Sequence, residues 1–554
     1  MTPEAQAVTL QHPAIGSIKG TQYSPRVEEY RGIKYATLTD RFARGQLVEN
    51  YPSTLDATSH GPLPVANPQN CDLEQLLLQH PLPHPEYQFS DLECLTLNVA
   101  APNASVRAQA GGGSGRPFPV LVYVHGGGFV TGSANWPQWE LARLVELSVE
   151  RGSPIVAVGI NYRLGPFGFL TSAAMREAGY QPNNGLHDQK LGFRWVQRHI
   201  AGFGGDPGAL TYFGCSIGAA SGFVHLQSEE PLFQRIAAWG GSGLMQPLPL
   251  GVAEVGYGMV VKALGLESLP PAEQVKELVR IPQADFEAKV RDVHAPYMAW
   301  VDGDIVRTVP TYSGIADPAG LKKVFPGVQW CPTVWMGSCS MDGAIFLITA
   351  LAGRTDDLPQ ALKRCISTTL SAHPDLIPQL VSLYGLDSAN TADEKALAIA
   401  NFSTDVGFAQ AAKATAQGWQ ASTGTALLSH FTCPNPWDGG WKGHATHGLD
   451  AAFVLQNYNQ VLPEGQRGCA ERMGRDMVDF VGGKDRLPWV GAEGGREIVY
   501  HAGCEGKGDE SRVVSSEEAA EMTARRRELE GIVRGRTEVL DRLMDALGML
   551  LSGQ

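Results

Sequence analysis

Short, almost wholly apolar runs recur along this chain with helix-compatible stretches between them, and that alternation limits its fold more than any other feature. Leu95–Val99, Val120–Val124, Ile155–Ile160 and Ala209–Phe213 are such runs; others precede Gly337 and lie at Thr425–Phe431. A run that is apolar at nearly every position suits a strand covered on both faces, as in a mostly parallel sheet. Helical stretches such as Gln189–Ile200 supply the covering layers, so the chain reads as α/β. With 43% hydrophobic side chains and no glycine period, disordered and fibrous alternatives fall away.

Two excursions, roughly 245–330 and 350–430, interrupt the strand pattern. Both read as mainly helical insertions, for example at Pro271–Val279 with Ser268 as its cap, and such insertions commonly cover a site built on strand ends. Ala108–Gly115 reads as a glycine-rich surface loop between two strands. The C-terminal segment 511–554 reads as helical, with a capping-box pattern at Ser515-Ser516-Glu517-Glu518. Its apolar stripe Leu540, Leu543, Leu547 and Leu550 fits a helix docked on the core better than a dimer seam, and leaves a homodimer as the one protein partner to consider.

A net charge of −13 is a poor match to a polyanion, so nucleic acid is set aside. No stretch approaches 18 uninterrupted apolar residues, so no membrane span is expected. The first twenty residues lack a basic-then-apolar signal pattern, and the chain is expected in the cytoplasm, or secreted only if a leader has been removed. Nine cysteines are scattered without a CxxC pair, so neither a zinc site nor a dense disulfide scaffold is indicated, and no metal or cofactor is expected.

Gly214-Cys215-Ser216-Ile217-Gly218 is a GxSxG directly after an apolar run and before Ala219-Ala220. A serine nucleophile at a sharp strand-to-helix turn tolerates only small neighbours two positions away. Taken alone the motif is weak, because a glycine-rich turn would look the same. His125-Gly126-Gly127-Gly128-Phe129, after the run Val120–Val124, changes that. Acyl transfer places negative charge on a carbonyl oxygen, and glycines let bare backbone N–H groups approach it.

With these motifs, the chain resembles the type-B carboxylesterase/lipase family, the cholinesterase-like branch of the α/β-hydrolases, and most closely its filamentous-fungal carboxylesterases. Tyr30–Ala36 with Arg41-Phe42, Glu93–Val99, Asn161–Gly165, Asn184–Gln189 and Phe203–Pro207 carry the resemblance in order around the two glycine motifs. It implies a single α/β-hydrolase unit over 1–554, with a large, mostly parallel mixed sheet flanked by helices and capped by the two insertions.

The resemblance also implies the remaining chemistry. The family's acid falls on Asp342 and its histidine on His447, within Thr446-His447-Gly448-Leu449-Asp450. Ser216 would attack, His447 would carry the proton and Asp342 would hold the imidazole. Oxyanion donors would be the N–H groups of Gly127, Gly128 and Ile217. His444 is the local competitor of His447, and a metal reading of that pair lacks further ligands. The chain departs from the family at Cys215, which replaces a usual Glu; at Ile217, which replaces Ala; and at Asp342, which is one methylene shorter than Glu. Cys71 with Cys94 match a family disulfide, and Arg163–Asp188 and Arg41–Glu93 match its buried ion pairs. Trp136, Trp139, Trp335, Trp437 and Trp441 are candidates for core packing or an apolar pocket.

The function implied is a serine carboxylic-ester hydrolase acting on a small-to-medium, apolar, small-molecule ester. The alternatives are an acyltransferase on the same triad and a silent interaction module, the latter disfavoured because Ser216, Asp342 and His447 are all present.

Overall fold

A computed structural model describes residues 6–110, 116–245, 247–354, 357–422, 424–483, 496–502, 509–515 and 524–553. Its framework is a 13-stranded sheet. In chain order the strands are β1 (Ala7–His12), β2 (Gly16–Gln22), β3 (Val27–Lys34), β4 (Thr54–Asp56), β5 (Thr96–Pro102), β6 (Phe118–Val124), β7 (Val156–Ile160), β8 (Gly205–Cys215), β9 (Arg235–Trp239), β10 (Thr333–Cys339), β11 (Thr425–Phe431), β12 (Arg496–Tyr500) and β13 (Arg512–Ser515). The spatial order is β1-β2-β3-β5-β7-β6-β8-β9-β10-β11-β12-β13, with β4 beside β2. The run from β7 to β12 is parallel, while β1, β2, β3, β5 and β13 add antiparallel edges.

The apolar runs become the parallel strands because each contributes to a core on both faces. Along β6, Val120, Val122 and Val124 join one core while Leu121 and Tyr123 join the other. Helices α1 (Asn70–Leu78), α2 (Asn184–His199), α3 (Ile217–His225), α4 (Leu358–Thr369), α5 (Leu449–Val454) and α6 (Thr537–Ser552) are those that matter below.

Several expectations change in detail. The helix at 271–280 starts on Pro271 after Pro270, without a side-chain cap from Ser268. The second excursion is helical to Ser422, and Thr425–Phe431 returns to the sheet as β11. The helix Ala104–Ala110 runs into the start of the loop expected over Ala108–Gly115, and 111–115 lie outside the described residues. Arg512–Ser515 is a strand rather than the start of a helix, and most of the capping-box pattern falls outside the described residues. On α6, Leu543, Leu547 and Leu550 are buried within the chain and Leu540 packs beside them, so the stripe is a docked face.

Both partners of the expected disulfide are free thiols. Cys71 faces the core that holds Leu78, Trp136 and Trp139, whereas Cys94 faces the opposite core beside Tyr35 and Leu95. The sheet stands between them. Arg163 and Asp188 form the expected buried pair, with Nε–Oδ2 at 2.7 Å and Nη2–Oδ1 at 2.8 Å. Arg41, however, pairs with Asp91 at 2.8 Å, its guanidinium lying against Phe167 and Phe286, while the exposed Glu93 takes Lys34. Burial decides this: an interior guanidinium needs a carboxylate that is also interior, and Asp91 is buried where Glu93 is not.

Candidate active site

Ser216 occupies the turn between β8 and α3 with φ 60° and ψ −131°, a conformation L-residues rarely adopt. The surroundings enforce it. Ser216 N–H donates to Trp239 O at 2.9 Å, tying the turn to β9. A Cβ on Gly214 would meet the Gly218 backbone at 2.5 Å, and one on Gly218 would meet Val124 O at 2.2 Å. These two glycines let the helix start against its own strand, as the GxSxG spacing requires.

The triple-glycine loop abuts this turn. A Cβ on Gly126 would lie 2.9 Å from Ser216 Cβ. Gly127, Gly128 and Phe129 follow with φ of 98°, 62° and 63°, a left-handed run that turns successive amides to one side. Among the described residues no acceptor takes the N–H of Gly127 or Gly128. Ile217 begins α3, where helix geometry leaves its N–H unpaired. His125 is a strut: it stacks on Tyr162 at 4.4 Å, and its Nδ1–H donates to Gly126 O at 2.9 Å. Burial lowers its pKa to about 4, which keeps it neutral.

His447 and Asp342 meet across the ends of β10 and β11. His447 Nδ1 lies 2.8 Å from Asp342 Oδ1, and Asp342 Oδ2 accepts the Cys339 N–H at 2.7 Å. Asp342 is fully buried, and His447 Nε2 is buried with no hydrogen-bond partner. His444 is exposed and takes no part. Gly240-Gly241, just past β9, joins the two halves of the site. A Cβ on Gly240 would lie 2.9 Å from His447 Cε1, and one on Gly241 2.3 Å from Ser216 O. That Gly-Gly directly follows an apolar run, the one signal the sequence carries for it.

The second excursion also supplies contacts to the Asp342–His447 pair. Gly343 N–H donates to Thr404 Oγ1 at 2.8 Å, and Phe408 packs on the His447 ring at 5.4 Å. Both belong to the π-helical turn Thr404–Ala409. Its Asp405 is held by Arg525 (2.6 Å) and Arg526 (3.3 Å), and Arg526 also donates to Cys339 O at 3.1 Å. Asp450, one turn beyond His447 on α5, is buried. Desolvation and the neighbouring Asp342 charge push its carboxyl up to about 7. Burial, with the same carboxylates nearby, holds the Cys215 thiol well above its usual range, so it is a small buried residue rather than a second nucleophile.

A small apolar recess begins at Ile217, the residue after the serine. Phe129, Ile217, Phe223, Val224, Met245 and Met298 form much of its wall. Gln227, its one polar side chain, is committed to the backbone of Arg307 and Thr308. None of the five tryptophans lines it: Trp136, Trp139 and Trp335 are core residues, and Trp437 and Trp441 are half-buried elsewhere. Among the described residues no cluster of His, Cys, Asp or Glu could hold a metal ion, and no helix is long and apolar enough to cross a membrane.

The model of the carboxylesterase family matches residues 4–485. The chain belongs to that family. It is 30% identical to secreted lipase 5 of Gibberella zeae over 36% of this chain and 38% of that protein. It is 34% identical to the para-nitrobenzyl esterase of Bacillus subtilis over 42% of each chain, and 42% identical to a carboxylesterase of Penicillium expansum over 26% of this chain and 27% of that one. The first two matches span about two fifths of those relatives' length. A solved PNB esterase shares the fold with a TM-score of 0.68 at 22% identity, covering 94% of this chain and 100% of its own. A carboxylesterase from Geobacillus stearothermophilus does so with the same TM-score and identity over 93% and 99%. The α/β-hydrolase architecture expected of a carboxylesterase-family member is therefore present, and Arg525 and Arg526 brace its site from beyond the matched residues.

Proposed function

We propose that this chain is a serine carboxylic-ester hydrolase that cleaves small-to-medium apolar esters through an acyl-enzyme. The observation that carries the reading is the His447–Asp342 contact at 2.8 Å with His447 Nε2 left buried and unpartnered, close to a serine held at φ 60°. Ser216 Oγ attacks the ester carbonyl while His447 Nε2 takes its proton. Asp342 accepts the Nδ1–H, which fixes the tautomer and stabilises the imidazolium. The carbonyl oxygen gathers negative charge against the N–H groups of Gly127, Gly128 and Ile217. As the intermediate collapses, His447 returns the proton to the departing alcohol, and water repeats the sequence on the acyl-enzyme. The recess beside Ile217 suits a compact apolar acyl group.

The test is p-nitrophenyl butyrate hydrolysis by the wild type and Ser216→Ala. Loss of about 10⁴-fold or more in kcat, with a wild-type burst matching enzyme concentration, supports the reading. Undiminished turnover in the variant overturns it. Acyl transfer to an added alcohol that outruns release of the free acid would replace hydrolysis with transfer.

A further inference from the structure

Asp342 has one methylene between its backbone and its carboxyl, so the place of Oδ1 follows the place of its own Cα closely. Oδ1 is engaged with His447 Nδ1 and Oδ2 with the Cys339 N–H. The contact with His447 therefore depends on what holds the turn Met341-Asp342-Gly343. On the upstream side the histidine's own loop holds it: Met341 N–H donates to Ala445 O at 3.0 Å, and Met341 bridges to Thr446. On the downstream side the holder is a neutral hydroxyl from the second excursion. Gly343 N–H donates to Thr404 Oγ1 at 2.8 Å.

Thr404 is itself fixed. It is fully buried, and its hydroxyl donates to Ala400 O at 2.7 Å, which engages its one proton and leaves the oxygen to accept from Gly343. A bond to the carbonyl four residues back bends a helix, and here the helix Ala392–Ser403 passes into the π-helical turn Thr404–Ala409. The fit leaves no slack. A Cβ on Gly343 would lie 2.4 Å from Ala400 O and 2.6 Å from both Ser403 Cβ and Thr404 N, so glycine at 343 is what lets the two segments come close enough to bond. Later in the same turn, Phe408 packs on the His447 ring at 5.4 Å. One turn thus touches both members of the pair, the acid through its backbone and the imidazole through a ring contact.

We propose that Thr404 is a positioning residue which, by accepting the Gly343 N–H, keeps Asp342 Oδ1 within hydrogen-bond reach of His447 throughout the reaction. The inference rests on the esterase reading. There the imidazole takes up and gives back a proton in acylation and again in deacylation, and the acid must stay in register through both. A hydroxyl suits that task. It adds no charge beside Asp342, and it anchors the backbone instead of the carboxylate, whose charge stays directed at His447. Without the hydroxyl the buried Gly343 N–H has lost its acceptor, and the turn gains by moving towards another, taking Asp342 with it. The loss falls on turnover and not on substrate binding, since Thr404 does not line the recess.

Thr404→Val keeps the shape and removes the acceptor, whereas Thr404→Ser keeps the acceptor. Both are assayed on p-nitrophenyl butyrate, and Thr404→Val is assayed again in the Asp342→Asn background. The expected result is a kcat about tenfold or more lower in Thr404→Val, with KM within about twofold, and most of the activity restored in Thr404→Ser. In the Asp342→Asn background the same substitution should lower kcat by less than about threefold, because the group it positions no longer functions. A full loss in that background overturns the proposal, since Thr404 would then act through the fold. An unchanged kcat in Thr404→Val overturns it too, as does an equal loss in Thr404→Ser. If Thr404→Val does not fold, Thr404→Ala takes its place in the cycle with the same outcomes. A wild type that hydrolyses no ester and is not labelled at Ser216 by a fluorophosphonate removes the esterase reading itself, a result distinct from undiminished turnover in the variants.

Discussion

At the ends of β8, β10 and β11, backbone geometry sets the groups we propose to react: Ser216 by its φ, Asp342 by the Cys339 amide, and the triple-glycine loop by three consecutive positive φ values. The recess beside them is lined by side chains from distant segments, Ile217 sharing it with Met245 and Met298. The chemistry therefore tolerates little local change, whereas the walls can be altered while the fold and the reaction persist. A family keeps the first and varies the second.

The largest expected effect lies at the strand ends. Asp342→Asn keeps the shape but favours the wrong imidazole tautomer, and should lower kcat on p-nitrophenyl butyrate by about 10³–10⁴-fold with little change in KM. A loss under tenfold would mean that His447 is not oriented through this contact.

Next come two neighbouring glycines. A Cβ at Gly127 would lie 2.2 Å from Thr131 O, while at Gly128 its nearest neighbour would be Val130 Cγ2 at 3.9 Å. Gly127→Ala should lower kcat/KM by about 100-fold or more, and Gly128→Ala by less than about tenfold. Equal losses would show that loop rigidity, not this one close approach, places the amides.

In the walls, Ile217→Ala should raise the kcat/KM ratio of p-nitrophenyl octanoate to butyrate about tenfold, its amide being kept. An unchanged ratio would separate the recess from the acyl group.

The smallest effect is on stability. The Asp450 carboxyl is raised to about 7 in the folded protein, above its unfolded value, so the stability it contributes is present below about pH 4 and lost as pH rises through 7. Asp450→Asn should gain about 2–4 °C in Tm over the wild type at pH 8 relative to pH 5. A difference independent of pH would contradict it.

The two regions were also unequally legible in the sequence. The parallel strands were legible because each is local, and GxSxG and HGGGF stand out for the same reason: their residues adjoin in sequence and their backbone requirement is written in glycines and apolar runs. The Asp342 and His447 positions needed the family resemblance, since an Asp-Gly or a His-Gly has no local peculiarity. Arg41 was assigned Glu93 where it takes Asp91, because sequence gives proximity but not which carboxylate is interior. The Cys71–Cys94 bond failed for a like reason, the sheet lying between the two thiols. Thr404 and Arg526 act on the acid's turn from 61 and 187 positions away, and Glu74 meets Trp139 from 65 away. Nothing periodic or motif-like marks contacts of that kind.

The grip of Arg526 on Cys339 O sets an order in time. Ser216 and the triple-glycine loop leave the ribosome early, but the turn that presents Asp342 gains its last brace only when residue 526 has emerged and folded back. A nascent chain of this protein can therefore hold the turn at Ser216 before the brace on the Asp342 turn is in place.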